Sequence, residues 1–331
     1  MKANQMKAMI ATRYGTSEVL KFTLAEKPVP GPKDVLVKVK ASSATTADTM
    51  MLTGKPYIAR LFVGLTRPKY PIPGTGFAGV IEAAGSAVSH FSVGDEVFGE
   101  TTLGFSANAE YVVVPASGVI LPKPASLPFT EAASYGDGHL TSYNFLRRIA
   151  KIQPGQYVLI NGAAGSLGTS AVQIAKYLGA HVTGVCSSKN VGMVRSLGAD
   201  EVIDYQKQDF TRLTTRYDVI FDTVGKSSFT RARKVLAGHG VYLSPVLRFS
   251  LLVQMLITTL FGRQKARFEA TGVNGEGTLK ALLQEVLELH ENGKLKTVID
   301  RQYPLERLAE AHHYISCGHK KGNVVIVVDE N

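Results

Sequence analysis

The sequence has little of several features that mark whole classes of protein. Its 331 residues contain two cysteines, Cys186 and Cys317, too few for a disulfide framework or a thiolate metal cage. We therefore expect a reducing compartment and predict a cytoplasmic protein. No stretch reaches the roughly 18 apolar residues of a membrane-spanning helix, and the N-terminus does not resemble a signal peptide.

The basic residues are numerous but scattered. Lys and Arg total 37 against 27 Asp and Glu, which gives a formal net charge of +10. Such an excess suits anionic ligands, an anionic membrane surface or nucleic acid. Because no basic run reaches five residues, we predict no nucleic-acid binding. A phosphorylated cofactor accounts for part of the excess more simply.

The chain changes character near residue 131. Residues 1–130 are predicted to form short strands between Gly and Pro turns, and "VLVKV" alternates as a half-buried strand does. Over 131–270, apolar strands such as "YVLIN" and "YDVIFD" alternate with helical patterns, which indicates a parallel sheet covered on both faces. Residues 271–331 add a strong helix and a final strand. The predicted class is α/β, with a Rossmann doubly wound sheet beside a β-rich domain.

A glycine-containing loop joins one apolar strand to a helix predicted over 166–178. In "YVLINGAAGSLG" the spacing is A-x-G-x-x-G, with Ala163, Gly165 and Gly168 at the marked positions. Gly165 would let the backbone approach a pyrophosphate, and Gly168 would let the helix pack closely on the sheet. A tight turn in another α/β enzyme, such as one that binds S-adenosylmethionine, is the alternative. We predict a dinucleotide on Ala164, Gly165, Ser166, Leu167 and Gly168.

The tip of the next strand favours a particular dinucleotide. An NAD-preferring site usually has Asp or Glu about 20 residues past the glycines. Here "CSSKN" offers Ser187, Ser188 and Lys189, whose hydroxyls and ammonium suit a 2′-phosphate, and this stretch has no carboxylate to repel it. We therefore predict NADP(H), with Tyr205 along its adenosine half. A solvated loop and a core tyrosine are the alternatives.

An ordered set of motifs resembles the medium-chain dehydrogenase/reductase family, in its zinc-free quinone oxidoreductase branch. The motifs are "VLVKVKASS", "PGTGFAGVIEAAGSAV", "VGDEVFGE", "AEYVVVP", "NGAAGSLGTSAVQIAKYLGAHV", "VRSLGADEVIDY", "FDTVG" and "KKGNVVIVV". Each is modest alone, but together and in order they cover nearly the whole chain. The resemblance implies a GroES-like catalytic domain completed by residues 271–331, an intervening Rossmann domain, an active site in the cleft between them and a homodimer.

The resemblance also allows the metal question to be asked position by position. The zinc-containing branch has a Cys, a His-Glu pair and another Cys where this chain has Thr45, Thr75 with Gly76, and Asp137. Threonine is a poor zinc ligand, and one aspartate cannot supply three protein ligands. We therefore predict no metal. The adjacent pair His312 and His313 is expected to face the core or solvent.

Without zinc, reduction of an already polarised acceptor becomes the favoured reaction. We predict an NADPH-dependent reductase of a quinone or an α,β-unsaturated carbonyl, in which protein donors hold the product anion and deliver a proton. The catalytic candidates are Thr45, Thr46, Asp48 and Tyr57. His139 is either a further proton source or a structural histidine. The resemblance adds cofactor contacts at Thr141, Val224, Gly225, Leu243, Ser244, Gly322 and Asn323.

Other functions remain open. They are a reductase or dehydrogenase of another carbonyl or alcohol, a non-catalytic NADPH-binding protein, and a membrane-surface protein. The last depends on residues 249–262, "FSLLVQMLITTLFG", an apolar helix with a thin polar stripe of Ser250, Gln254 and Thr258. At about 21 Å it is too short to cross a bilayer of about 30 Å. We predict its burial at a subunit contact or over the active-site cleft. Peripheral membrane contact is the alternative, because the segment is flanked by Arg248, Arg263, Lys265 and Arg267.

Overall fold

The computed structural model describes residues 4–329 and, among them, every side chain except those of Ile58 and Phe62. The chain divides into two units. The first holds the residues up to Asp137, Gly272–Glu285 and the residues from Ile299 onward, and the second holds Gly138–Thr271 and Val286–Val298. A long helix near the C-terminus is thereby divided between the units, whereas residues 271–331 were predicted to return to the first domain as a whole.

Short strands dominate the start of the chain, and strands alternate with helices after them. The first unit begins with β1 (Gln5–Ile10), β2 (Lys21–Glu26), β3 (Asp34–Ala44), α1 (Thr46–Thr53), α2 (Arg60–Val63), β4 (Gly76–Ala84), β5 (Glu96–Glu100), β6 (Tyr111–Pro115), β7 (Val119–Pro122) and α3 (Phe129–Ala132). The second contains α4 (Leu140–Tyr143), β8 (Tyr157–Asn161), α5 (Ser166–Tyr177), β9 (His181–Cys186), α6 (Val191–Ser196), β10 (Glu201–Asp204), β11 (Tyr217–Asp222), α7 (Phe229–Ala232), β12 (Leu236–Ser244), α8 (Phe249–Leu260) and β13 (Lys265–Phe268). The chain ends with α9 (Glu276–Glu291), β14 (Ile299–Pro304), α10 (Leu308–Ser316) and β15 (Asn323–Val327).

Single turns of other helix types connect several of these elements. The 3₁₀ turns are Ser17–Val19, Tyr57–Ala59, Thr102–Gly104, Ser188–Asn190, Phe210–Arg212, Thr271–Val273 and Leu305–Arg307. Two π-helical turns flank α4, at Tyr135–His139 and Asn144–Ile149. Such turns are frequent at functional sites, and the first of these contains Asp137.

The first unit is built on a seven-stranded sheet. The strands run in the order β14-β15-β3-β4-β5-β7, with β6 also paired to β3, while β1 and β2 form a separate antiparallel pair. Within the larger sheet β14 and β15 are parallel and the other pairs are antiparallel. Val35, Val37 and Val39 of β3 are all buried in one core cluster, which confirms the alternation seen in the sequence. The end of β3 leads directly into α1.

The second unit is a six-stranded parallel sheet in the order β10-β9-β8-β11-β12-β13. Numbered within the unit, this order is 3-2-1-4-5-6, the doubly wound arrangement predicted from the sequence. The order reverses between β8 and β11. In open sheets of this kind ligands bind beyond the carboxyl ends of the strands at such a point. The sheet therefore places Asn161 and Asp222, the last residues of β8 and β11, at the expected ligand edge.

The helices of the second unit follow the predicted pattern with one difference in orientation. Helix α5 begins at the predicted Ser166 and ends one residue early, and Gly179 beyond it takes the left-handed φ of 83° that favours glycine at a helix stop. Helix α8 forms within 249–262, but Thr258 of its polar stripe is buried and most of its large apolar side chains are exposed. Among the described residues, no helix is long and apolar enough to cross a membrane.

Candidate functional site

The loop between β8 and α5 has the backbone geometry of an anion-binding turn. Gly162 has a φ of 85°, which favours glycine, and its carbonyl accepts a hydrogen bond of 3.0 Å from the amide of Gly165. Gly165 stands at the N-cap of α5, and no side chain caps this helix. The first turn of α5 therefore presents backbone N–H groups and the positive end of the helix dipole at the ligand edge of the sheet.

Gly165 and Gly168 differ in the space around their Cα atoms. A Cβ on Gly168 would lie 2.1 Å from the carbonyl oxygen of Gly162, so that only glycine allows the helix to approach the loop this closely. A Cβ on Gly165 would meet nothing nearer than that same oxygen, at 3.6 Å. The space beside Gly165 is therefore open, as a bound pyrophosphate requires. Ala164 and Ser166 are buried beside it, Leu167 is half-buried, and all of these stay predicted cofactor residues.

The carboxylate of Asp222 organises the neighbouring strand end. Its Oδ1 accepts hydrogen bonds from Asn161 Nδ2 at 2.9 Å and from the Gly225 amide at 3.0 Å. Its Oδ2 accepts from the Ser227 amide at 2.9 Å and from the Tyr242 hydroxyl at 2.8 Å, and burial with that contact raises the pKa of Tyr242. This fully buried aspartate ties β8, β11 and β12 together. The motif "FDTVG" pointed to the residues after this aspartate, but not to Asp222 itself.

The predicted contacts on β11 and β12 lie around this network. The hydroxyl of Ser244 donates to the carbonyl of Asp222 at 3.0 Å, and Leu243 beside it is fully buried. Val224 is 44% exposed at the strand end, where it can contact a ligand. Gly225 has a φ of 65°, and a Cβ there would lie 2.8 Å from Val246. The fold thus brings these four residues to the same edge as the glycine loop.

The tip of β9 lies next to an acidic side chain at the end of β10. Ser187 and Lys189 are accessible, but the hydroxyl of Ser188 donates a very short hydrogen bond to Asp204 at the end of β10. That bond holds the pKa of Asp204 below its usual value. The stretch "CSSKN" contains no carboxylate, but strand pairing places that of Asp204 against Ser188. Tyr205 follows Asp204 and is 55% exposed.

The remaining predicted cofactor residues are distributed over both units. Thr141 lies half-buried in α4 of the second unit. Gly322 and Asn323 lie at the start of β15 in the first unit, where Gly322 has a φ of 77° and Asn323 is buried. Their contact with a cofactor stays a prediction.

His139 is a structural residue of the second unit. Its Nδ1 shares a hydrogen bond of 2.7 Å with the Ser170 hydroxyl, and its Nε2 shares one of 3.0 Å with the Thr297 hydroxyl. Burial, with the charge of His290, lowers the pKa of His139 to about 3. A neutral, enclosed imidazole is a poor proton donor, so the structural interpretation is the better supported of the two. Thr297 also explains why residues 286–298 group with this unit.

The catalytic candidates Thr45 and Asp48 form the capping box of α1. The Asp48 amide donates to the Thr45 hydroxyl oxygen at 2.9 Å, while Asp48 Oδ2 accepts from the Thr45 amide at 2.9 Å and from its hydroxyl at 2.8 Å. Both residues are buried. The Thr45 hydroxyl is therefore committed to Asp48, while Thr46 is exposed on the first turn. Tyr57 is 66% exposed, with the Arg60 guanidinium 4.9 Å from its ring centre.

Asp48 belongs to a cluster of acids at the positions that were compared with zinc ligands. Burial raises the pKa of Asp48 to about 7, with the Thr45 hydrogen bonds opposing and Asp137 adding to the rise. Burial likewise raises the pKa of Glu100 to about 8, opposed by Thr75 and increased by Asp48 and Asp137. This cluster lies entirely in the first unit.

Glu100 and Lys320 complete the cluster and were missed in the sequence. A Cβ on Gly136 would lie 1.9 Å from Glu100 Oε2, and that buried oxygen has no hydrogen-bond partner among the described residues. Burial lowers the pKa of Lys320, while Asp137 and Asp48 raise it. These contacts join "VGDEVFGE", "GDGH" and "GHKK", which lie far apart in the chain. Only strand pairing brings them together.

An apolar pocket of the first unit opens beside Asp48. It is lined by Tyr14, Leu52, Val63, Tyr70, Phe105 and other residues of the same unit, and Asp48 is its one acidic member. The rings of Tyr70 and Phe105 lie 5.7 Å apart. The cavity measures about 30 Å³, close to the room of one water molecule, so it shows an apolar lining around one carboxyl but no space for a larger ligand.

Comparison with known proteins gives the family. Residues 31–125 match the family model of the alcohol dehydrogenase GroES-like domain, and residues 197–326 match that of zinc-binding dehydrogenases. The chain is 30% identical to human quinone oxidoreductase, over 95% of this chain and 94% of that protein. It is also 30% identical to the chloroplastic NADPH-dependent alkenal/one oxidoreductase of Arabidopsis thaliana, over 97% and 79% of the two chains. The chain belongs to the medium-chain dehydrogenase/reductase family.

A solved structure of this family has the same fold. Coxiella burnetii quinone oxidoreductase superposes with a TM-score of 0.88 at 27% identity, covering 98% of this chain and all of that one. The match to the zinc-binding dehydrogenase model covers residues 197–326 and does not include Thr45, Thr75 or Asp137. It therefore gives no information about a metal at those three positions. Within residues 4–329, no group of three or more His, Cys, Asp or Glu side chains has the arrangement of a metal site. Metal independence stays a prediction.

Proposed function

We propose that the protein is an NADPH-dependent oxidoreductase that transfers hydride to a quinone or an α,β-unsaturated carbonyl without a metal. The observation that carries this proposal is the glycine loop at the switch point of the 3-2-1-4-5-6 sheet, with an uncapped α5 and open space at Gly165. Relatives named as quinone and alkenal/one oxidoreductases support the acceptor class.

The second unit supplies the binding residues for NADPH. The first turn of α5 holds the pyrophosphate through backbone N–H groups, and Ser187 and Lys189 hold the 2′-phosphate. Val224 and Ser244, fixed through Asp222, border the nicotinamide. When bound, NADPH supplies the hydride, and the protein's task is to orient the ring and exclude water.

The first unit supplies apolar surroundings for the acceptor and a proton. Asp48 has a pKa of about 7, close to the value that best suits a general acid at neutral pH. Its proton passes directly to the anion left on the reduced acceptor, while the Thr45 hydroxyl, which donates to Asp48 Oδ2, positions the carboxyl. The apolar lining of the pocket favours a quinone or enone over a charged acceptor. Tyr57 is a second candidate donor at the surface.

The residues at the acid cluster favour reduction of an acceptor over oxidation of an alcohol. Oxidation of an alcohol requires a Lewis acid or strong base to ionise the hydroxyl, which zinc supplies elsewhere in the family. Thr45 and Thr75 provide no zinc ligands that would let a metal ionise an alcohol, whereas a quinone or enone needs only a proton for its product anion, which Asp48 can supply. These features support reduction.

The test is a screen of NADPH oxidation against quinones, enals, enones and simple aldehydes, before and after prolonged chelation. We expect turnover with quinones or enones, little with saturated aldehydes, and no loss of rate after chelation. Elemental analysis should find far less than one zinc per chain. Stoichiometric zinc, with activity lost to the chelator and restored by zinc, would move the assignment to an alcohol dehydrogenase. Cofactor uptake with no oxidation of NADPH would indicate a binding protein.

Two further properties are proposals that follow from the family and composition. We expect a homodimer, which light scattering of the purified protein would detect. A cytoplasmic location follows from the low cysteine content, although the Arabidopsis relative is chloroplastic. A fluorescent fusion in the source cell would test it.

A further inference from the structure

Helix α8 of the second unit turns its polar side inward and its apolar side outward. Thr258 is buried, and its hydroxyl accepts a hydrogen bond of 3.1 Å from the Ala266 amide of β13. Gln254 Nε2 donates to the Thr230 hydroxyl of α7 at 2.7 Å. Leu251 alone of the helix's large apolar residues is fully buried in the core, with Met255 packed against it. Gln254 and Thr258 of the polar stripe thus attach the helix to its own unit, while Ser250, the first member of the stripe, is exposed.

The opposite side of α8 is a continuous apolar face. Its members recur every three or four residues along the helix and are all exposed: Phe249, Leu252, Val253, Leu256, Ile257 and Leu260. The first of these is 83% exposed, and Phe261 directly after the helix is 85% exposed. A soluble surface rarely collects so many large apolar side chains on one helix. The face therefore points to a partner.

The charge around this face identifies the kind of partner. Between Asp222 and Glu269 the chain contains eight Lys and Arg residues and no Asp or Glu. This segment carries a formal charge of +8 out of the chain's net +10, so almost the whole basic excess is concentrated here. Arg248 and Arg263 are exposed at the two ends of α8. The exposed apolar face is thus flanked by cations along its length.

Hydrogen bonds hold further cations at the C-terminal end of the helix. Lys265 Nζ donates to the Thr258 carbonyl at 2.7 Å, and Arg267 Nη1 donates to the Thr259 hydroxyl at 3.0 Å. Gln264 Nε2 donates to the Arg233 carbonyl at 3.1 Å, which brings the basic turn after α7 beside β13. We call α8, Phe261 and the basic residues from Arg233 to Arg267 the α8 surface.

We propose that the α8 surface docks on an anionic phospholipid bilayer, with α8 lying in the plane of the membrane. A helix of 12 residues spans about 18 Å, so it lies on a bilayer rather than across it. Apolar side chains that enter the headgroup boundary, with cations that meet anionic headgroups, are what such binding uses. A second copy of the chain fits less well, because two surfaces that each carry six basic residues and no acidic one would meet. The proposal does not depend on the acceptor.

The chain contains no tryptophan, which makes a direct test possible. Leu256→Trp places a single fluorophore on the apolar face, and Tyr177→Trp places one at a surface position outside it that is 51% exposed in the native chain. With vesicles of phosphatidylcholine and phosphatidylglycerol, we expect the Leu256→Trp emission to shift to the blue and to be quenched by brominated lipid. The Tyr177→Trp emission should not change.

A pair of charge variants separates specific docking from general attraction. Arg248→Glu with Arg263→Glu should lower the partition onto anionic vesicles by about tenfold or more, since each basic residue near a membrane surface contributes about 1 kcal/mol. The control, Arg13→Glu with Lys21→Glu, makes the same change in net charge at exposed positions of the other unit and should have little effect. Turnover of a soluble acceptor should be the same in the wild type and in both double variants if the fold is intact.

The possible outcomes decide between partners. Flotation with anionic but not with purely phosphatidylcholine vesicles, together with the Leu256→Trp shift, supports membrane docking. Equal flotation of both charge variants, or a Leu256→Trp emission that vesicles do not alter, overturns it. A blue shift without lipid that grows with protein concentration, together with a dimer that Leu256→Asn dissociates, would assign the face to a second copy instead.

Discussion

At the scale of single residues, Asp204 determines how strongly the β9 tip favours a 2′-phosphate. Its carboxylate accepts from Ser188, the residue expected to donate to that phosphate. Lys207 lies 3.8 Å from the same carboxylate and partly balances its charge. A dianionic phosphate would therefore compete with Asp204 for one hydroxyl and be repelled by its charge. The site then relies on Lys189 and Ser187 for its preference.

Replacement of this carboxylate should sharpen the preference for NADPH. Asp204→Asn is expected to lower the Kd for NADPH about fivefold, because its repulsion of the 2′-phosphate is relieved, and to leave the Kd for NADH little changed. Lys189→Ala should act in the opposite sense. Fluorescence titration with NADPH and NADH measures the ratio of the two Kd values. Asp200→Asn, directly before the first residue of β10, is the matched control. An unchanged ratio in Asp204→Asn would mean that the phosphate lies elsewhere.

Asp48 should control the pH dependence of turnover. Because its pKa is raised to about 7, it carries a proton below neutral pH, and the reductive rate should fall as pH rises through about 7. Asp48→Asn keeps an acceptor for the Thr45 amide but has no acidic proton, so kcat should drop about hundredfold and lose this limb. Thr45→Val and Tyr57→Phe should each lower kcat about tenfold.

Stopped-flow measurement of NADPH oxidation from pH 5 to 9 provides the check on Asp48. Asp95→Asn replaces an exposed aspartate of the same unit and should behave as the wild type. Glu100→Gln should retain the descending limb, since it leaves Asp48 in place. A normal pH profile in Asp48→Asn would remove Asp48 from the mechanism.

At the scale of elements, the loop between β8 and α5 combines two demands that different glycines meet. The close approach of α5 to Gly162 requires Gly168, whereas the space beside Gly165 is open. Gly165 has a φ of −80°, which any residue adopts, so nothing in the apo protein requires glycine there. We therefore expect that the missing side chain at Gly165 serves a bound pyrophosphate.

Alanine should therefore weaken cofactor binding at position 165 and lower the stability of the fold at position 168. The Gly165→Ala variant should have the same melting temperature as the wild type. It should bind NADPH at least about tenfold more weakly, because its Cβ enters the space of the pyrophosphate. Gly168→Ala should lower the melting temperature, since its Cβ meets backbone that cannot move away cheaply. Thermal unfolding with and without NADPH separates the effects. Full NADPH-induced stabilisation of Gly165→Ala would place the pyrophosphate elsewhere.

Periodicity predicted the elements well where burial follows a simple rule. The strands of the second unit are buried on both faces, so their continuous apolar runs were informative, and α5 was found to within one residue. Helix α8 shows the limit of this reasoning. Its polar stripe marked an unusual helix, but the sequence did not show that Thr258 and Gln254 would find partners on β13 and α7. Only the tertiary contacts determine which side of such a helix faces solvent.

At the scale of the whole molecule, family and fold class followed from the order of motifs, while several site residues did not. Asp204, Glu100 and Lys320 act through partners distant in sequence. Asp222 combines the nearby amides of Gly225 and Ser227 with the distant side chains of Asn161 and Tyr242. Glu100 is the clearest case, because "VGDEVFGE" looks like an ordinary strand with a charged end. Its role appears only when β5 brings the carboxyl against Gly136. Contacts of this kind carry no local signal.

Buried titratable groups should also give the molecule a narrow pH range of greatest stability. Burial lowers the pKa of His139 to about 3 and of His312 to about 4, so their contributions are present above pH 6.5 and are lost as pH falls. For Glu100 the pKa is raised from 4.5 to about 8, so its contribution is present below 4.5 and is lost as pH rises to 8. Asp48 acts in the same direction. Stability should therefore decline on both sides of mildly acidic pH.

Glu100→Gln tests the alkaline side of this range. The amide keeps the shape of the protonated carboxyl and cannot ionise, so the variant should lose less stability than the wild type between pH 5 and 8. The difference in the free energy of unfolding should reach about 3 kcal/mol at pH 8, in proportion to the shift in pKa. Urea unfolding followed by circular dichroism at several pH values measures it, with the exposed Glu18→Gln as control. Parallel pH curves for Glu100→Gln and wild type would show that Glu100 is ionised in the folded protein, and that the acid cluster holds its charge by another arrangement.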